Sequence, residues 1–251
     1  MKKDVVVGLG EIGKPIFQII KKVFPVTGFD TNKKLIPKTK KEIDNLNVRF
    51  LHICIPFGGE FIGNVKKLVK QFEPEGIVIH STISPNTTKK LQADLDIPVV
   101  YSATRGVHRR MVKDLKSYVK FFGISNDAPN KKFAISNYKS LMKKCGIKTK
   151  QVSEPITLEL SKIICDTSYY GWLINYAQIS KMIASKYEVD YDEMWSFAEE
   201  IHEKLGNRPK MFPGFIGGHC VIPNLELINE KDLEQINSIN KLFKKFLSST
   251  R

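Results

Sequence analysis

Cys220 ends the run Phe212-Pro213-Gly214-Phe215-Ile216-Gly217-Gly218-His219-Cys220, which holds three glycines within five residues. Glycine lets a backbone approach a ligand closely, so a thiol on such a loop is a candidate nucleophile, with Gly217, Gly218 and His219 around its substrate. The same residues also describe a tight turn around a small buried thiol. A second stretch, Gly8-Leu9-Gly10-Glu11-Ile12-Gly13, has the GxGxxG spacing that brings backbone amides to a dinucleotide pyrophosphate. A third, Arg105 to Arg110, holds three of the chain's six arginines, Arg105, Arg109 and Arg110. Planar guanidinium groups suit phosphate and carboxylate, and Arg208 is a further candidate for an anionic substrate; structural ion pairing is the alternative. His108 and His219 are candidate proton carriers by residue type, unless they are ordinary surface or core histidines.

The elements that must position these residues follow from hydrophobic pattern. Asp4-Val5-Val6-Val7-Gly8 is apolar enough for a buried parallel strand, and Ile16, Ile19, Ile20 and Val23 recur at helical spacing behind the glycines. That strand–turn–helix context is what gives GxGxxG its meaning. A second strand, Val26–Phe29, ends at Asp30, 22 residues after Gly8. An acid there accepts ribose hydroxyls and repels a 2′-phosphate, which favours NAD over NADP, although Lys33 and Lys34 stand nearby. Further strands are expected at Val48–Ile55, Gly76–His80, Pro98–Ser102, Val119–Phe122 and Ile147–Val152, with helices near Phe61–Phe72 and Pro129–Cys145. Ile55, Pro56, Ser81 and Thr82 then lie at strand C-termini, where open α/β sheets bind their ligands. Thr82 is expected beside the nicotinamide, or else caps the helix after Pro85.

The pattern predicts an α/β, Rossmann-type doubly wound parallel sheet over residues 1–153. Residues 154–251 are expected to form an all-helical domain. Its long central helix spans Pro155 to Tyr187, followed by helices near Tyr191–Leu205 and Glu230–Leu247. Its apolar surface predicts a homodimer.

Composition narrows the function. The net charge of +14 invites a nucleic-acid reading, but 34 of the 40 basic residues are lysines spread along the chain, and no recognition motif accompanies them. No apolar run is long enough for a membrane span. The start, Met1-Lys2-Lys3-Asp4, leads directly into a strand and leaves no room for a signal peptide. Cys54, Cys145, Cys165 and Cys220 are too dispersed for a metal site or disulfide framework, which predicts reduced thiols in the cytoplasm.

Taken together, the residues resemble the UDP-glucose/GDP-mannose dehydrogenase family along the whole chain. Val6 to Pro15 matches its opening VVGLGxxGxP, Ser81-Thr82 its Ser-Thr strand end, and Gly217 to Cys220 its glycine-rich cysteine loop. The family's central helix carries a lysine and, four residues on, an asparagine; Lys162 and Asp166 occupy that spacing and share a helix face. The resemblance implies NAD-dependent oxidation of a sugar alcohol, on a nucleotide sugar or sugar phosphate, through a Cys220-bound intermediate. Lys162 would stabilise the oxyanion, with Thr82, Asp166 and Asn224 in support. The resemblance also implies polysaccharide biosynthesis as the setting.

Four departures bear on this. The family's Pro-Glu-Phe-Leu-Arg-Glu segment is replaced by Ala103-Thr104-Arg105-Gly106-Val107-His108. The helix asparagine is Asp166, and the acid four residues after the cysteine is Asn224. Only 31 residues follow Cys220, so the family's further C-terminal nucleotide-binding domain is expected to be absent. Two alternatives therefore stay open: a single-hydride dehydrogenase for a smaller anionic substrate, and a non-catalytic NAD-binding dimeric scaffold.

Overall fold

The structure is a computed structural model that describes residues 2–35, 47–218 and 220–249. The chain forms two compact units, Met1–Leu160 and Ser161–Arg251. The sequence puts the change of character at 153/154; the units divide after Leu160, inside a helix that begins at Pro155.

The first unit is a seven-stranded sheet in the order β2-β1-β3-β4-β5-β6-β7. The strands are β1 (Lys3–Val7), β2 (Val26–Phe29), β3 (Val48–Ile53), β4 (Gly76–Ile79), β5 (Val99–Tyr101), β6 (Lys120–Ile124) and β7 (Thr149–Gln151). The apolar strands feed both faces. Val6, Phe50, Val78, Val100 and Phe122 point into one core, while Val5, Val7, Leu51, Ile53, Ile77 and Ile79 point into the other. This is the alternation of a pleated strand covered on both sides. Each such fully buried side chain contributes about 1.5–3 kcal/mol of burial free energy. The first core is closed by α1 (Gly13–Ile20), α4 (Met111–Ser117) and α5 (Lys131–Lys144). The second is closed by α2 (Phe61–Phe72), α3 (Thr87–Asp94) and Leu158 of α6 (Pro155–Ser161).

The expected all-parallel sheet needs one amendment. β6 runs antiparallel to β5, and β7 pairs parallel with β6. The chain between β5 and β6 makes a 3-10 turn at His108–Arg110 and the short helix α4, and so returns from the opposite end.

A buried ion pair locks the start of β1 to β3. Arg49 donates to both carboxylate oxygens of Asp4, at 2.9 and 2.6 Å, and its guanidinium lies 3.7 Å from the Phe24 ring centroid. Burial pushes the Asp4 carboxyl up, but hydrogen bonds and charge from His52 and Arg49 outweigh it and hold it below its ordinary value.

In the second unit the chain remains helical from Ser161 to Lys186, but not as one α-helix. A π-helical segment, Lys162–Ser168, continues α6 and gives way to α7 (Tyr169–Lys186). Wider turns of this kind are rare and often accompany functional sites. Then follow α8 (Tyr191–Leu205), α9 (Val221–Glu226) and α10 (Glu234–Ser249). Asp190 caps α8 by accepting the amides of Asp192 and Glu193, and Gly206 ends it in the left-handed conformation. α7 packs against α8 and α10, and Ile216, Val221, Leu225 and Ile236 form a small core. No helix among the described residues is long and apolar enough to cross a membrane.

Candidate functional site

The glycine turn of the first unit is shaped by its missing Cβ atoms. Gly8 has φ +84°, and a Cβ there would lie 2.9 Å from the backbone of Cys54. A Cβ on Gly13 would lie 1.7 Å from the Gly8 carbonyl oxygen, so the helix start can press onto the strand end only without one. At Gly10 an added Cβ meets nothing within 4 Å, which leaves open space over the middle glycine. The first helical bond runs from Lys14 N to Gly10 O, so the Ile12 and Gly13 amides precede the ladder. Asp30 accepts the Leu9 amide at 2.6 Å and the Asn32 amide at 2.8 Å. The carboxylate is thus fixed at the edge of the turn. These residues fit a dinucleotide: Gly8 to Gly13 could hold its pyrophosphate and Asp30 its ribose.

The strand ends beside the turn are tied together. The Ser81 hydroxyl donates to the Ile55 carbonyl at 2.5 Å, which joins the loops after β4 and β3. Thr82 is half-buried and Pro56 exposed. The loop carrying Thr82 runs into α3, whose start is held by Glu159 of α6. That carboxylate accepts the Asn86 and Thr88 amides and the Thr88 hydroxyl, at 2.6, 2.8 and 2.6 Å. Burial raises the Glu159 carboxyl above its ordinary value, and these hydrogen bonds work against the rise. Sequence reasoning missed Glu159, because a cap supplied from 71 residues away leaves no local signature.

The arginine cluster divides on inspection. Arg105 donates to the Val119 carbonyl at 2.7 Å and lies over Tyr118 and Phe121, so its guanidinium is held against the segment that leads into β6. Arg110 pairs with Asp114 at 3.0 Å. Arg109 is exposed on the same turn, and His108 contacts Glu11 of the glycine turn. In the second unit Arg208 is exposed and bonds Asn207.

The second unit carries four of the residues expected to do chemistry, on the π segment and on α9 with its N-cap. On the π segment Lys162 Nζ meets Asp166 Oδ2 at 2.5 Å; the side chains are 14% and 45% exposed. Thr167 donates its hydroxyl to the Lys162 carbonyl at 2.9 Å, and Ser168 to that of Ile163 at 2.8 Å. Asn224 Nδ2 reaches Thr167 Oγ1 at 3.4 Å, which ties α9 to the π segment. Cys220 is the exposed N-cap residue of α9, and Pro223 sits in the first turn, where its missing N–H costs little. Gly217 and Gly218 are exposed; His219 lies outside the described residues.

What holds this loop was not legible in sequence. Asn240 of α10 accepts the Ile216 amide at 2.8 Å and donates to the Ile216 carbonyl at 2.9 Å. Gln178 of α7 donates to the Gly214 carbonyl at 2.7 Å and to Asn240 at 3.0 Å. Asn175 bonds Gln178 and the Ile236 carbonyl. Gly171 gives α9 its place, since a Cβ there would lie 2.9 Å from Val221 and 3.2 Å from Ile236. No group of three or more His, Cys, Asp or Glu side chains among the described residues is arranged to hold a metal.

No protein-family model matches the sequence, and no curated protein matches it. Solved structures do match. UDP-D-ManNAc dehydrogenase from Pyrococcus horikoshii aligns with a TM-score of 0.79 at 19% identity, over 99% of this chain and 70% of that one. The UDP-N-acetyl-mannosamine dehydrogenase of Staphylococcus aureus gives 0.72 at 19% identity, over 100% and 70%. A 3-hydroxyisobutyrate dehydrogenase from Mycobacterium tuberculosis gives 0.68 at 13% identity, over 99% of this chain and 94% of that one. The chain therefore has the fold of the nucleotide-sugar dehydrogenases, a Rossmann-type unit followed by a helical one.

Proposed function

We propose that the protein is an NAD-dependent oxidoreductase of the nucleotide-sugar dehydrogenase kind, which oxidises a sugar alcohol through a Cys220-bound intermediate. The observation that carries this reading is the Asn224–Thr167 bond, because it joins the helix capped by Cys220 to the π segment bearing Lys162 and Asp166. NAD, when bound, supplies the hydride acceptor. Asp30 selects it over NADP by repelling a 2′-phosphate. Thr82 orients water or the substrate hydroxyl. Cys220, as thiolate, adds to the carbon of the aldehyde, and Lys162 stabilises the oxyanion that forms. After oxidation of this adduct, water cleaves the thioester to a carboxylic acid and the free thiol. Asp166 modulates the charge on Lys162, and Asn224 steadies the π segment. The substrate is a nucleotide sugar or sugar phosphate, with the exposed Arg109 and Arg208 as candidates for its anionic part. The exposed Tyr169, Tyr170, Tyr176 and Ile183 on α7 support a homodimer, which light scattering tests.

A second reading is a single-hydride dehydrogenase acting on a smaller anionic substrate. It draws support from the 94% coverage of the hydroxyisobutyrate enzyme and from Thr104, His108 and Asn224 standing where the resembled family has acids. Counting NADH over a panel of nucleotide sugars, sugar phosphates and small hydroxy acids separates the two. Two NADH per substrate, lost in Cys220→Ser, supports the cysteine route. One NADH, retained in Cys220→Ser, supports the second. NAD binding without turnover of any compound sinks both and leaves the scaffold.

A further inference from the structure

We infer that His108 is a cofactor-positioning residue, which binds and holds the carboxylate of Glu11 inside the proposed phosphate-binding turn. The inference rests on the dinucleotide reading above. Glu11 is one of the two variable residues between Gly10 and Gly13, where the backbone amides and the helix start attract an anion. A carboxylate there opposes a diphosphate. In the structure it does not stand alone: His108 Nδ1 lies 2.8 Å from Glu11 Oε2, with the two side chains 31% and 54% exposed.

The contact is built from the His108 side. The 3-10 turn His108–Arg110 is held by Asp114, which accepts the Val107 amide at 2.8 Å and pairs with Arg110. Gly106, with φ +143°, lets the chain pass against Asp114 and Met111, where a Cβ would lie 2.8 and 3.0 Å away. Met111 and Leu115 of α4 share a core with Ile16, Ile19 and Ile20 of α1. Both ends of the Glu11–His108 pair are therefore carried by helices packed on each other. The exposed Arg109 is the next residue along the turn.

A diphosphate held by the amides of this turn would stand close to Glu11, which belongs to the same turn. At such separations one unscreened carboxylate weakens binding by about fivefold to twentyfold in a medium of intermediate dielectric. The His108 contact holds that carboxylate and offsets the penalty. The test is calorimetric titration of NAD, ADP and adenosine into the full-length protein and the variants His108→Ala, Glu11→Gln and the double variant. His108→Ala is expected to weaken NAD and ADP about tenfold and leave adenosine, which has no phosphate, unchanged. The double variant is expected to recover affinity to within about threefold of the parent, because the carboxylate is gone too. Parent-like affinity in His108→Ala overturns the inference. So does a double variant no better than His108→Ala, or an equal loss for adenosine, since those mark a merely structural role. A parent protein that binds neither NAD nor ADP sinks the cofactor reading and this inference with it.

Discussion

Replacing Asn240 by alanine tests what holds the cysteine loop. Asn240 is buried, and truncation deletes its bonds to the Ile216 amide, the Ile216 carbonyl and the Gln178 side chain. Each buried polar group left without a partner costs about 1–3 kcal/mol, and water entering the vacated space recovers part of that. The expected loss is about 3–5 kcal/mol. Against a typical stability of about 5–15 kcal/mol, that is a large fraction. Both tryptophans, Trp172 and Trp195, belong to α7 and α8, so tryptophan fluorescence in a urea titration reports on the second unit. With a slope of about 2 kcal/mol per molar, the midpoint should fall by at least about 1.5 M. In a Cys165→Ala background, the rate of Cys220 with a thiol reagent should rise as the loop loosens. A midpoint shift under about 0.5 M with an unchanged Cys220 rate would refute the reasoning, because the loop would then be held by something else.

Three further outcomes follow from the geometry. Gly13→Ala should abolish dinucleotide binding, by more than about tenfold in calorimetry, since its Cβ would overlap the Gly8 carbonyl oxygen at 1.7 Å; retained affinity would show that the turn opens at little cost. Thiol titration of the native protein should count two fast cysteines, Cys165 and Cys220, because burial pushes the Cys54 thiol up to about 12 and the Cys145 thiol up to about 11; four fast thiols would contradict the core described here. The Asp4 carboxyl lies below its ordinary 3.8 when folded, so its contribution to stability is present above that value and lost as pH falls through the folded one. Unfolding free energy measured from pH 5 to pH 3 should therefore drop more steeply in the parent than in Asp4→Asn, and parallel curves would remove Asp4 from the acid sensitivity.

How far the sequence carried depended on whether the cause was local. The β1–turn–α1 unit was legible because three things coincide there: the apolar run Val5-Val6-Val7, glycines whose missing Cβ atoms are sterically required, and a helical repeat at Ile16, Ile19 and Ile20. Strand positions were legible for the same reason. The direction of β6 was not, since Phe121 and Phe122 are equally apolar in either sense and the reversal arises in the turn before α4. The long helix was legible as helix, but its π segment was not. There the Thr167 and Ser168 hydroxyls bond carbonyls five residues back, a pattern no hydrophobic period encodes.

The candidate site shows the same divide in residue chemistry. Arginine at 105, 109 and 110 was readable as three cations, but their partners, the Val119 carbonyl and Asp114, lie on other turns, so the sequence overcounted the charge available to an anion. Asn175, Gln178 and Asn240 interrupt apolar helix faces and would pass for exposed positions, yet they form the buried bonds that carry the Gly214–Ile216 backbone. Lys162 is the sharper case. An asparagine at position 166 would leave the ammonium charge whole, whereas Asp166 meets it at 2.5 Å and cancels much of its field at a distance. On the proposed thioester route, an oxyanion beside Lys162 would compete with a carboxylate already in place. That cost falls on the two-oxidation reaction. On the single-hydride reading, Lys162 would serve as a hydrogen-bond donor that Asp166 holds in position.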